Sequence, residues 1–173
     1  MSNITSWKFI LENYKNWFQN ETDIWLIICF ASYFEVECLR NDYYNAIVVE
    51  TEVDVNVNQY ILSTRQFKLV VGKTSKTSAV YYNIPENGVV WKLLNNNWLK
   101  LTDRIQKRDD NYWQYQSRRI FKKSGIELQN GLINYLRISK AKYIEKLNID
   151  IIQKNDLHKS MQHSYQTSLD WYV

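Results

Sequence analysis

In three runs beyond residue 33 the apolar residues of this chain recur at every second position, and that alternation restricts its fold more than any other feature. Phe34, Val36 and Cys38 alternate with Glu35 and Glu37, Val53, Val55 and Val57 with Asp54, Asn56 and Asn58, and Phe67, Leu69 and Val71 with Lys68 and Val70. A period of two belongs to a strand with one buried face. Turn-forming clusters punctuate the rest: Pro85-Glu86-Asn87-Gly88, Asn95-Asn96-Asn97, Asp109-Asp110-Asn111, Ser124-Gly125 and Asn130-Gly131. The runs between them, 79–84, 89–94, 112–121 and 132–138, read as strands, and the tail adds 143–151, 157–165 and 169–173. About ten short strands with hairpin-length connections predict an antiparallel meander, and closure into a barrel removes its exposed edges. The expected fold is mainly β, an antiparallel lipocalin-like barrel over about residues 24–173.

One segment keeps a different period. Trp7, Ile10, Leu11, Tyr14, Trp17 and Phe18 recur at spacings of three and four, so one face of a helix over about residues 5–20 is apolar, with Thr5 or Ser6 as its N-cap. The 173 residues contain only four glycines and one proline, so no linker divides them and a single domain, 1–173, is expected. A net charge of +4 is too mild to imply a polyanion, and no nucleic-acid partner is expected. The apolar run Trp25 to Ala31 is far shorter than the roughly 20 residues of a membrane span. Glu12, Glu21, Asp23, Glu35 and Glu37 precede the first arginine, Arg40, which argues against a secretory or transit peptide. Cys29 and Cys38 are too few for a disulfide framework and read as buried thiols.

Catalytic motifs are scarce. There is no phosphate-binding glycine loop, nucleophile elbow or Cys-x-x-Cys pair. His158 and His163, five apart on an expected strand, would face opposite sides, and no metal site is expected. Arg118, Arg119, Lys122 and Lys123 form a basic cluster beside Tyr112, Trp113 and Tyr115. Such a cluster can be a solvated strand end, a stacking surface for single-stranded nucleic acid, or a partner for an acidic group. Seven tryptophans and thirteen tyrosines either fill a core or line a cavity for a large flat ligand.

Several patches carry a resemblance in their order and rough spacing. They are Phe9-Ile10, Trp17, Thr22, Leu26 and Ser32 to Leu39, then Ser78 to Pro85 with Val90 to Leu94, and finally Glu145-Lys146-Leu147 with Asn155 to His158. Together they resemble the S-type phycobiliprotein lyases, the chromophore lyases of cyanobacteria and of red algal and cryptophyte plastids. The departures are Lys15 for the glycine before the tryptophan, Glu21 for the arginine of Ser-Gln-Arg-Thr, Asn148-Ile149 for Trp-Phe, and His158 where a functional arginine would lie.

The resemblance implies an enzyme of chromophore attachment. Such a lyase holds a linear tetrapyrrole, phycocyanobilin or phycoerythrobilin, non-covalently in its barrel. It presents the bilin to a cysteine of a phycobiliprotein α or β subunit, where a thioether forms. It has no cofactor of its own. Glu145 would assist protonation of the pyrrole nitrogens as the catalytic acid. Trp17, Thr22, His158, Arg118 and Arg137 would hold the ligand, the cations meeting its propionates. The implied setting is photosynthetic, in the plastid stroma or the cyanobacterial cytoplasm, with a homodimer allowed. Two other readings stand beside it: a non-catalytic lipocalin-like assembly subunit of a phycobilisome or photosystem, and a β-barrel nucleic-acid binder.

Overall fold

The computed structural model describes residues 6–71, 78–102, 110–126 and 131–162. Among these residues the chain is mostly helical, and the expected ten-strand barrel is absent. The elements run α1 (Trp7–Asn13), a 3-10 turn (Tyr14–Phe18), α2 (Ile24–Glu35), β1 (Ile47–Val49), β2 (Gln59–Ile61), β3 (Gln66–Val71), β4 (Ser78–Asn83), α3 (Val89–Thr102), α4 (Asp110–Lys122), α5 (Leu132–Glu145) and α6 (Ile151–Ser160). The chain divides into two compact units, one of residues 1–20, 37–40 and 114–173, the other of residues 21–36 and 41–113. Formal charge separates them. The first carries 13 Lys and Arg against 7 Asp and Glu, a net +6, and the second 9 against 11, a net −2. They are called here the basic and the acidic unit.

The acidic unit is built on an open four-stranded sheet in the order β1-β2-β3-β4, with β1 parallel to β2 and the other pairs antiparallel. Two expected strands, at 67–71 and 79–84, fall on β3 (Gln66–Val71) and β4 (Ser78–Asn83). The other runs of this unit correct the barrel. Phe34 and Glu35 close α2, whose Asp23 N-cap accepts from the Leu26 amide and whose buried residues surround the helix rather than lining one stripe. Val53, Val55 and Val57 are exposed on a loop with successive i to i+2 hydrogen bonds, Val55 N to Val53 O and Val57 N to Val55 O, each 2.9 Å. Buried Gln59 holds that loop by both its amide groups, donating to Val53 O and accepting from Val53 N.

Aromatic rings fill this unit's core. Tyr33 meets Tyr43 edge-on at 5.0 Å, Phe67 lies 4.7 Å from Tyr43 and 4.9 Å from Tyr60, and Trp113 is sandwiched between Phe30 (4.8 Å) and Tyr44 (5.1 Å). The Tyr60 hydroxyl sits 2.8 Å from Ser32 Oγ, and burial raises its pKa well above the usual phenol value. The expected strand 89–94 is the start of α3. Glu35 accepts from the amides of Val89 (3.1 Å) and Val90 (3.0 Å), so a carboxylate caps the positive end of that helix. A side chain on Gly88 would collide with that carboxylate.

Every regular element described in the basic unit is helical, and the 37–40 segment lies outside any element. Ser6 caps α1 by accepting from Phe9 N at 3.2 Å, and Trp7 and Ile10 are buried as the helical period required, whereas Leu11, expected on the same face, is exposed. The runs read as strands at 112–121 and 132–138 fall on α4 and α5, and those at 143–151 and 157–165 cover the end of α5, the turn at 146–150 and parts of α6; 163–165 and 169–173 lie outside the described residues. Helix α5 buries Leu132, Tyr135, Leu136 and Ser139, a spacing of three and four that pleated backbone would scatter over two faces. Edge contacts of Trp17 with Phe121 (5.0 Å) and of Phe121 with Tyr135 (5.9 Å) complete the core. Both cysteines are buried free thiols.

Candidate functional site

Arg137 is the largest fully buried side chain described, 1% exposed. Its Nη1 donates to Cys38 O (2.8 Å) and Met161 O (2.9 Å), tying the 37–40 segment to the residue that follows α6. Glu37 completes the tie. Its Oε1 accepts from Lys140 and, at 2.8 Å, from Cys38 N, and its Oε2 accepts from Ser160. Lys140, one turn beyond Arg137 on α5, also lies 5.8 Å from the centre of the Trp7 ring. This network holds four residues of the basic unit in place, and Arg40 at their end is exposed. The Cys38 thiol is pushed up to about 12, chiefly by burial, against the opposing pull of Lys140 and Arg137. It is a neutral core group, with no thiolate to act as a nucleophile near neutral pH.

Helix α4 from Gln114 onward presents the second feature. Its inner face is Ser117, Ile120 and Phe121, all buried. Its outer face is Gln114, Tyr115, Arg118 and Lys122, all exposed, at the three- and four-residue spacing that aligns them along one side. Tyr115 is 66% exposed. Arg119 flanks this face, its Nε donating to Gln116 Oε1 at 2.6 Å, and Lys123 follows it.

The residues expected to handle a chromophore are spread over the fold. Glu145 and His158 do meet, His158 Nε2 lying 2.8 Å from Glu145 Oε1, with the imidazole fully buried. That pair joins α5 to α6. Trp17 is a core residue against Phe121, Thr22 is an exposed residue before the α2 cap, Arg118 is on the outer face of α4, and Arg137 is in the network above. Lipocalin-like closure, which was to supply the ligand hollow, is replaced by the open sheet and helices. A cavity in the acidic unit, lined by Asp23, Trp25, Leu26, Tyr44, Tyr112 and Trp113, has an empty volume of about 220 Å³. That is below the roughly 300–1,000 Å³ of ligand clefts, and an open-chain tetrapyrrole does not fit it. Among the described residues no group of three His, Cys, Asp or Glu is placed to hold a metal ion, and no helix is long and apolar enough to cross a membrane.

No family model, curated protein or solved structure matches this chain.

The sequence flagged Arg118, Arg119, Lys122, Lys123 and Tyr115 but placed them on a strand. Glu37, Lys140 and Ser160 carried no local signal, because they meet over separations of 103 and 123 residues.

Proposed function

We propose that this chain binds duplex DNA through its basic unit. The observation that carries the reading is the outer face of α4, where Tyr115, Arg118 and Lys122 stand in line on a unit of net charge +6. A whole-chain charge of +4 conceals this segregation. Cations gathered on one unit attract a phosphate backbone far better than the same number dispersed.

Helical geometry favours a duplex over a single strand. Single-strand binders lay successive bases on an aromatic platform. Of the three aromatics beside the cluster, Trp113 is 4% exposed and held between two rings, Tyr112 is half-buried, and Tyr115 alone is well exposed. One ring makes no platform. A straight helix matches the major groove of B-form DNA, about 12 Å wide, whereas the major groove of A-form RNA is too deep and narrow for it. Arg40, held by the Arg137 and Glu37 network, adds an exposed cation to the same unit.

Fluorescence anisotropy of a labelled 30-base-pair duplex, titrated with the full chain at several salt concentrations, tests this. About four phosphate contacts give a slope near −3.6 in log affinity against log salt, so the affinity drops on the order of a hundredfold between 50 and 200 mM. An absence of duplex binding at 50 mM salt removes the proposal.

A further inference from the structure

We infer that α4 reads DNA sequence, with Arg118 as a specificity-determining residue, Gln114 and Tyr115 beside it, and Lys122 as a phosphate anchor. The inference rests on the duplex-binding reading and deepens it.

Position along the helix assigns these roles. Gln114 and Arg118 are four residues apart, Tyr115 and Arg118 three, and Arg118 and Lys122 four, so all point from one side of a single rigid element. The inner face is fixed in the core by Ile120 and Phe121, which sets the rotation of the outer face. A helix laid in the major groove meets base edges with three or four side chains on successive turns of its exposed face, beginning near its N-terminal end in many motifs, and phosphates where it leaves the groove. Arg118 is at the middle of the exposed row and Lys122 at its C-terminal end.

The chemistry matches that order. A guanidinium offers a planar fork that fits O6 and N7 of guanine, and a carboxamide fits N6 and N7 of adenine. A lysine ammonium is a flexible point charge, suited to a phosphate and unable to make the bidentate contact. A face built only for non-specific attraction would not need Gln114 and Tyr115, which carry no charge and supply directional hydrogen bonds. The neighbouring Arg119 is less available, since its Nε already donates to Gln116.

The test is selection of a random duplex library by the full chain, followed by affinity measurements on the enriched and scrambled sequences. The wild type is expected to enrich a short motif containing guanine. Arg118→Ala should lose discrimination at one or two motif positions by about tenfold or more. Arg118→Lys should lose the same discrimination while keeping the salt slope, which separates base reading from charge. Lys122→Ala should weaken all sequences alike and make the salt slope shallower by about one. Duplex binding without any enriched sequence would overturn the inference and leave the binding proposal intact. Equal loss of affinity for every sequence in Arg118→Ala would overturn it too. If no duplex is retained at low salt, both fall.

Discussion

The two units of this chain use polar groups in opposite ways. In the acidic unit the half-buried Glu35 carboxylate caps α3 and the buried Tyr60 hydroxyl meets Ser32, so polar atoms close backbone or side-chain valences within the scaffold. In the basic unit Arg137, Lys140 and Glu37 hold a four-residue segment whose last member, Arg40, is exposed. The first arrangement stabilises a scaffold. The second also sets the position of a surface cation, and it lies in the unit whose charge is +6. The lesson is that a mild total charge can be the sum of a slightly acidic unit and a strongly basic one.

That contrast can be broken experimentally. Arg137→Met is expected to have the largest effect, because it leaves Cys38 O and Met161 O without the donor the structure gives them. The loss is about 3 kcal/mol of stability, measured by urea unfolding, with a fall in DNA affinity. Gly88→Ala is expected to cost at most about 1 kcal/mol, since the displaced Glu35 carboxylate can swing aside at the loss of its cap on α3, and it should leave DNA affinity at the wild-type value. Glu35→Ala should cost about 1 kcal/mol through loss of the α3 cap. In the double variant the two costs should not add, because one removes the obstacle the other meets. A fall in DNA affinity of Gly88→Ala would erase the proposed division of labour.

The smallest effect belongs to the surface cluster of exposed Glu52 and Tyr81 with half-buried Lys68. The Tyr81 hydrogen bond, and then Lys68, hold the Glu52 carboxyl below its ordinary range. A carboxyl with a depressed folded-state pKa contributes stability above its unfolded pKa, and that contribution disappears as pH falls through the folded value. Thermal melting from pH 7 to pH 3 should therefore show a slightly steeper acid loss for the wild type than for Glu52→Gln. Identical profiles would remove the cluster from the stability account.

Much of the punctuation of this fold was legible in the sequence, and little of its periodicity. Pro85 to Gly88 is a turn, Ser124-Gly125 ends α4 with Gly125 at φ +75°, and Gly131 is the N-cap of α5. The opening helix and its Ser6 cap also agree with the pattern. The alternations failed where nothing pairs with them. Val53 to Asn58 has the pattern of a strand, but internal loop bonds and the Gln59 side chain satisfy its backbone instead. Asn95 to Asn97 reads as a turn and lies inside α3, where Asn97 Nδ2 donates to Leu93 O. The runs of α4 and α5 were read as strands because turn-forming clusters bound them, although Ser117, Ile120 and Phe121, and Leu132, Tyr135, Leu136 and Ser139, already have the helical period. The basic cluster was visible as residue types. Its alignment was not, because only a helix brings Tyr115, Arg118 and Lys122 to one side.

Matched charge reversals on the two units test the central claim most directly. Arg118→Glu with Lys122→Glu alters the basic unit, and Lys92→Glu with Lys100→Glu alters exposed positions of α3 in the acidic unit by the same charge. The expected result is loss of duplex binding by at least a hundredfold in the first variant and less than a threefold change in the second, at 100 mM salt. Equal losses in both would show that total charge alone attracts DNA, and the account of a dedicated basic unit would be contradicted.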